Sequence, residues 1–134
     1  MITPVAIALV SHNGSFLVGR RGPDGALAGY CEFPGGKCQP GESTAECAVR
    51  ECREETGLAI EVLRLRRELE HTYPYGTVHL HVFDCRMVSS SENCPLPPRF
   101  TWVPLDGLAD LRFPEPNGPL IAELMAEARC QPAK

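Results

Sequence analysis

No two of the seven cysteines form a Cys-x-x-Cys pair, which argues against a zinc ribbon or finger. Their number is odd and their spacing follows no disulfide framework, so free thiols in a reducing, cytoplasmic compartment fit best. All seven read as small buried hydrophobes. The chain also has no apolar run long enough to cross a bilayer, since the opening stretch MITPVAIALV is too short. That stretch lacks both the basic start and the small-residue cleavage site of a signal peptide. Positive charge is scarce as well. Thirteen Lys and Arg stand against 17 Asp and Glu, a net charge of −4, which argues against a nucleic-acid backbone or an anionic membrane as partner. A phosphorylated small molecule stays open to such a chain where metal cations mediate.

What is present suits one domain over residues 1–134, with 43% hydrophobic and 22% charged residues. Val5–Val10 is an apolar, β-branched run, and Asn13-Gly14 before Phe16-Leu17-Val18 signals a hairpin. Arg20–Gly29 reads as a loop, Tyr30–Phe33 as a short strand ended by Pro34-Gly35-Gly36. Glu42 or Ser43 opens a helix that runs to Thr56, with Gly57 as its stop. Ile60–Glu70 and Thr77–Met87 read as strands, Ser89–Pro98 as a loop, Phe100–Val103 as a last strand, and Pro119–Arg129 as an amphipathic helix. Nothing repeats and there is no βαβ rhythm, which predicts an α/β fold with a mixed sheet between helices.

The segment Gly35–Leu58 concentrates acid: Glu42, Glu46, Glu51, Glu54 and Glu55, with only Arg50 and Arg53 among them. Ala45, Ala48, Val49 and Cys52 fall at i, i+3, i+4 and i+7, a buried stripe, so Glu51, Glu54 and Glu55 share another side. Like charges so crowded repel unless a cation collects them, and hard oxygen ligands suit Mg²⁺ or Mn²⁺. A solvated acidic face is the plainer alternative. Against it, basic residues are not interleaved, and Pro34-Gly35-Gly36-Lys37 and Pro40-Gly41 shape a tight loop ahead of the helix.

Gly36, Glu42 and Arg50-Glu51-Cys52-Arg53-Glu54-Glu55-Thr56-Gly57-Leu58 resemble the Nudix box, G-x5-E-x7-R-E-U-x-E-E-x-G-U, at every fixed position of residues 36–58. Cys52 stands where the family prefers a bulky aliphatic, a place a buried thiol can fill. The resemblance implies the Nudix α/β/α sandwich and hydrolysis of a nucleoside diphosphate linked to another group. It also implies that Glu51, Glu54 and Glu55, with the Gly35 carbonyl, hold the divalent ions. Arg50 would orient these carboxylates and Glu42 would support the loop.

The flanks are most similar to the MutT-like branch, which hydrolyses nucleoside triphosphates to monophosphate and pyrophosphate. Leu17–Arg21, Glu32–Lys37, Phe100–Leu105 and Phe113–Ile121 carry that likeness, over nearly the whole chain. It implies a purine contact for Asn117, whose amide both donates and accepts, although Asn117 is also well placed to cap a helix before Pro119. Phe33, Tyr73 and Val78 would line the base pocket and Arg21 would place the nucleotide. The implied substrate is 8-oxo-dGTP, with CTP, dCTP or 5-methyl-dCTP as the alternative and a silent nucleotide-binding module as another class. A monomer and a homodimer both stay open.

Two departures from the branch stand out. Leu96 aligns where relatives carry a further glutamate, and Glu92 is the nearest acid. Gly76 stands where some relatives place a basic residue near the base. His71, His79 and His81 raise zinc, but a His-Leu-His pattern occurs in the family as an ordinary sheet element and is read so. Arg64, Arg66 and Arg67 read as solvated charge on an edge strand.

Overall fold

A computed structural model of the chain describes residues 2–23, 28–88, 94–114 and 117–130, the last three in backbone only. The elements are β1 (Ile2–His12), β2 (Ser15–Arg20), β3 (Cys31–Glu32), β4 (Gly35–Lys37), α1 (Thr44–Thr56), β5 (Ile60–Tyr73), β6 (Gly76–Met87), β7 (Phe100–Pro104), α2 (Leu105–Leu108) and α3 (Gly118–Cys130). The strands form one sheet in the order β3-β2-β1-β6-β5, with β4 added to β1 and β7 to β2. The β1–β6 pair is parallel and the others are antiparallel. The sheet is therefore mixed, as the sequence predicts.

Local chemistry sets the element ends. Asn13 and Gly14 both have positive φ, 52° and 79°, the requirement of a two-residue hairpin whose twist matches its strands. Ser43 caps α1 through a reciprocal box: the Glu46 N–H donates to Ser43 Oγ at 3.0 Å, and the Ser43 N–H donates to Glu46 Oε1 at 2.9 Å. Such a cap is worth about 1 kcal/mol. Gly57 closes the helix in the left-handed region at φ 81°, its N–H donating to the Arg53 carbonyl.

Two cores lie on opposite faces of the sheet, divided by the alternation of β1. Ala6, Ala8 and Val10 meet Cys47, Ala48 and Cys52 of α1. Leu9 joins Val18, Val82, Leu108, Leu120 and Leu124 under α2 and α3. The small side chains Ala6, Ala8 and Ala48 let α1 approach the strands closely.

Several expectations change. The buried face of α1 centres on Cys47, Ala48, Cys52 and Thr56, with Ala45 and Val49 only partly buried. Cys47 is drawn in because it faces Gly36, which has no side chain; its Sγ lies 3.5 Å from the Gly36 carbonyl. Gly35–Lys37 does not end a strand but forms β4 against β1. Glycine is required there, since a Cβ at Gly35 would stand 2.3 Å from the Ala6 carbonyl oxygen. Cys94 is exposed and Cys38 half-exposed, so burial does not extend to every thiol. Of the arginines on edge strand β5, Arg64 is solvated as expected, 62% exposed, while Arg66 and Arg67 are drawn into ion pairs with α3. Arg66 is 7% exposed and bonds Asp84, Glu123 and Glu127, Arg67 pairs with Glu123, and Arg64 with Asp84. Among the described residues no helix is long and apolar enough to cross a membrane.

Candidate active site

The acidic helix is organised by one guanidinium. Arg50 grips Glu42 with two parallel bonds, Nε to Oε2 at 2.6 Å and Nη2 to Oε1 at 3.0 Å. Its Nη1 donates to both Glu51, at 3.0 Å, and Glu54, at 2.9 Å. Nη2 also reaches the Lys37 carbonyl, at 3.3 Å. Glu42 accepts the Gln39 N–H as well, so it supports the loop and ties it to the helix. The Arg50 bonds, with the Gln39 N–H, hold the Glu42 carboxyl down at about 2. Arg50 itself is held further above its usual range by the same carboxylates.

Glu55 is treated differently. No arginine bonds it among the described residues; its Oε1 accepts the Gly35 N–H at 3.1 Å. Burial pushes its carboxyl up to about 7, with the charges of Glu32 and Glu51 adding to the rise. The three box carboxylates thus share one helix side without converging on a point: Glu51 and Glu54 lean to Arg50 and Glu55 to the Gly35 backbone. Gly36 leaves the space they need. A Cβ there would stand 2.6 Å from the Glu51 carboxyl carbon, so the glycine forms a cradle that any side chain would fill. Three carboxylates beside bare backbone form a donor set that fits a hard divalent cation.

A cavity of about 510 Å³ opens beside this backbone and is lined by Gly35 and Gly36 at one end. Arg21, Phe33, Tyr73, Val78 and Asn117 all border it, so the residues implied for the nucleotide are brought together. Phe33 stacks on Phe113 with centroids 5.0 Å apart. Asn117 is 9% exposed and directly precedes α3. Its N–H donates to the Pro114 carbonyl.

Among the lining residues that sequence reasoning missed, Tyr75 and Glu32 make the most specific contacts. Tyr75 stacks on Tyr73, centroids 5.0 Å apart and planes 6° from parallel, and stands 80% exposed at the cavity edge. Glu32 takes Arg21 on one oxygen and Arg99 on the other, both at 2.9 Å. Alternation around the short strand β3 was the available signal: Cys31 and Phe33 are buried, and Glu32 between them is not. Leu96 is partly buried against the core under α1. Glu92 lies outside the described residues.

The NUDIX domain matches this chain over residues 5–123, and the chain belongs to the Nudix family. Nudix hydrolases use a divalent metal and act on small nucleotides. Within the family this is a MutT-like hydrolase of phosphoric anhydride bonds. It is 32% identical over 124 residues to the 8-oxo-dGTP diphosphatase of Escherichia coli (strain K12), covering 90% of this chain and 94% of that one. To the CTP pyrophosphohydrolase of the same organism it is 33% identical over 79 residues, 59% of this chain and 58% of the relative. The solved MutT protein from Methanosarcina mazei Go1 superposes with a TM-score of 0.78 at 25% identity, covering 96% of each chain. The E. coli ORF135 protein gives 0.77 at 24% identity, over 99% of this chain and 95% of that chain.

Proposed function

We propose that this chain is a Mg²⁺-dependent nucleoside triphosphate pyrophosphohydrolase that releases a monophosphate and pyrophosphate, with 8-oxo-dGTP as substrate and Mn²⁺ as a workable substitute ion. The observation that carries the reading is the continuity of the box with the cavity. Gly35 and Gly36 border the acidic helix on one side and the aromatic pocket on the other. Glu51, Glu54 and Glu55, with the Gly35 carbonyl, would hold the ion. Bound Mg²⁺ supplies charge neutralisation on the pyrophosphate oxygens and a more acidic water.

The chain's own residues do the rest. Arg50 fixes Glu51 and Glu54 in place and does not touch substrate. Glu55, which no arginine bonds among the described residues, is suited to accept a proton from the attacking water. Phe33 presents an aromatic wall to the base, Tyr73 and Val78 close its far side, and Arg21 places the nucleotide. Asn117 reads a guanine-type edge with one donor and one acceptor. Such an enzyme would work on free nucleotides in the cytoplasm, as a monomer or homodimer.

A second reading, a cytosine nucleotide substrate, is favoured by the similarity to a CTP pyrophosphohydrolase. Pyrophosphate release is measured with Mg²⁺ on 8-oxo-dGTP, dGTP, dCTP, 5-methyl-dCTP and a nucleoside-diphosphate sugar, for the native chain and Asn117→Ala. Preference for 8-oxo-dGTP, lost in the variant, is the expected result. Turnover of cytosine nucleotides that survives Asn117→Ala would return Asn117 to a helix-capping role. No turnover of any substrate would point to a silent binding module.

A further inference from the structure

His79 and His81 alternate with Leu80 on β6, and register places Glu70 and Glu68 of β5 directly opposite them. Paired residues share a sheet face, so these four side chains stand together. They share the face of α1, since His81 is level with Ala6, which packs under that helix. Leu69 and His71 point to the other face, where His71 meets Tyr73 edge-on.

Three observations converge on this group. The two imidazole rings approach to 4.2 Å between centroids, tilted by 39°. Nitrogen and oxygen ligand atoms of Glu68, His79 and His81 all lie within 4.8 Å of one another. The third is a buried polar atom with nothing to bond: Nδ1 of His81 has no hydrogen-bond partner among the described residues. The side chain of His81 is only 12% exposed, and its Nε2 stands 3.4 Å from Glu68 Oε1. With the ring proton on Nε2, Nδ1 is a lone pair in a dry place, which costs free energy unless something binds it.

We propose that Glu68, His79 and His81 form a transition-metal site for Zn²⁺, separate from the box carboxylates. Coordination of Nδ1 would give the orphaned lone pair a partner, with a ring nitrogen of His79 and a carboxylate oxygen of Glu68 as the other two protein ligands. Glu68 supplies the compensating negative charge. Tetrahedral Zn²⁺ with bonds of about 2.0–2.1 Å places its ligand atoms a little over 3 Å apart, so modest side-chain closure completes the site, with water in the remaining position. Imidazole donors select Zn²⁺ over Mg²⁺, so the two ions are sorted to two places on one chain. The ion would tie edge strand β5 to β6 just past the irregularities at Val62/Arg64 and Leu65/Arg67.

The full chain, stripped with EDTA and held in excess Mg²⁺ to occupy the carboxylate site, is titrated with Zn²⁺ by calorimetry. Its melting midpoint is followed by circular dichroism. One equivalent should bind and raise the midpoint. Glu68→Gln and His79→Gln should each weaken that binding by more than the roughly 10- to 100-fold that an outer-shell partner costs, while His71→Gln leaves it intact. Absence of an equivalent in excess Mg²⁺, or one that persists in both variants, overturns the proposal. Glu68 is half-exposed, so its variant keeps the test valid should His79→Gln fail to fold.

Discussion

Arg50 and Arg66 each gather three carboxylates, one arginine on either face of the sheet. Arg50 takes Glu42, Glu51 and Glu54, all from one helix and the loop before it. Arg66 takes Asp84 from β6 and Glu123 and Glu127 from α3. Exposure separates them: the Arg50 side chain is 23% exposed and that of Arg66 7%. The buried knot joins three elements and so holds the fold. The open knot joins one helix to its own loop, so little of the fold depends on it, and Glu51 and Glu54 each keep one oxygen clear of the arginine.

The largest effect that sharpens this contrast is on rate. Glu54→Gln should lower Mg²⁺-dependent hydrolysis by roughly 10²–10³-fold, the scale of losing one preorganised electrostatic contact. Glu54 is 58% exposed, so a thermal melt of the same variant should hardly move. Unchanged hydrolysis would remove the box from the mechanism.

Arg66→Met should do the reverse. Breaking a buried charge network costs about 3–5 kcal/mol, reduced here to roughly 2–4 because Glu123 and Glu127 are partly solvated. Urea unfolding reads that loss, and the rate per folded molecule should stay at the native value. A rate that falls with stability would mean the two knots are coupled.

The smallest effect is a pH dependence. Glu55 is raised from 4.5 to about 7, so between those values the folded chain keeps a proton that the unfolded chain has lost. Its contribution to the metal-free fold is whole below about pH 4.5 and is lost as pH rises through about 7. Glu42, drawn from 4.5 to about 2, contributes in the opposite sense: fully above its unfolded value, and lost as pH falls through about 2. A metal ion on Glu55 must displace its proton. Affinity for Mg²⁺ should therefore climb by up to about tenfold per pH unit as far as about 7, then level off. Calorimetric titration from pH 5.5 to 8.5, roughly spanning that range, would show it; a flat profile would remove Glu55 from the ligand set.

The same contrast explains what the sequence reveals. The Arg50 knot and the caps of α1 are built from residues a few positions apart, within reach of a local reading, and the family resemblance supplies the orienting role of Arg50. The partners of Arg66 lie 18, 57 and 61 residues away, and nothing local tells a gathered arginine from a solvated one. Strand β4 escapes for another reason: Gly35 and Gly36 have no side chains to alternate, and only the close approach of β1 shows why they must be bare. The four-residue α2 has too few positions for a helical period. The cavity residues Phe33, Tyr73, Val78 and Asn117 come from three separate stretches, and family likeness rather than periodicity points to them.

Strand β1 precedes the other described elements and lies in the middle of the sheet. Its parallel partner β6 pairs with it from Ile2↔Thr77 to Ser11↔Arg86. During synthesis, residues 2–12 emerge from the ribosome long before that partner exists. The β5–β6 hairpin closes over a two-residue turn between Tyr73 and Gly76 and can form within about 1–10 μs of its emergence. The β1–β6 pairing must wait for the intervening chain to close a long loop, the slow kind of contact. Until Met87 has emerged, a nascent chain therefore carries one apolar strand without its parallel neighbour.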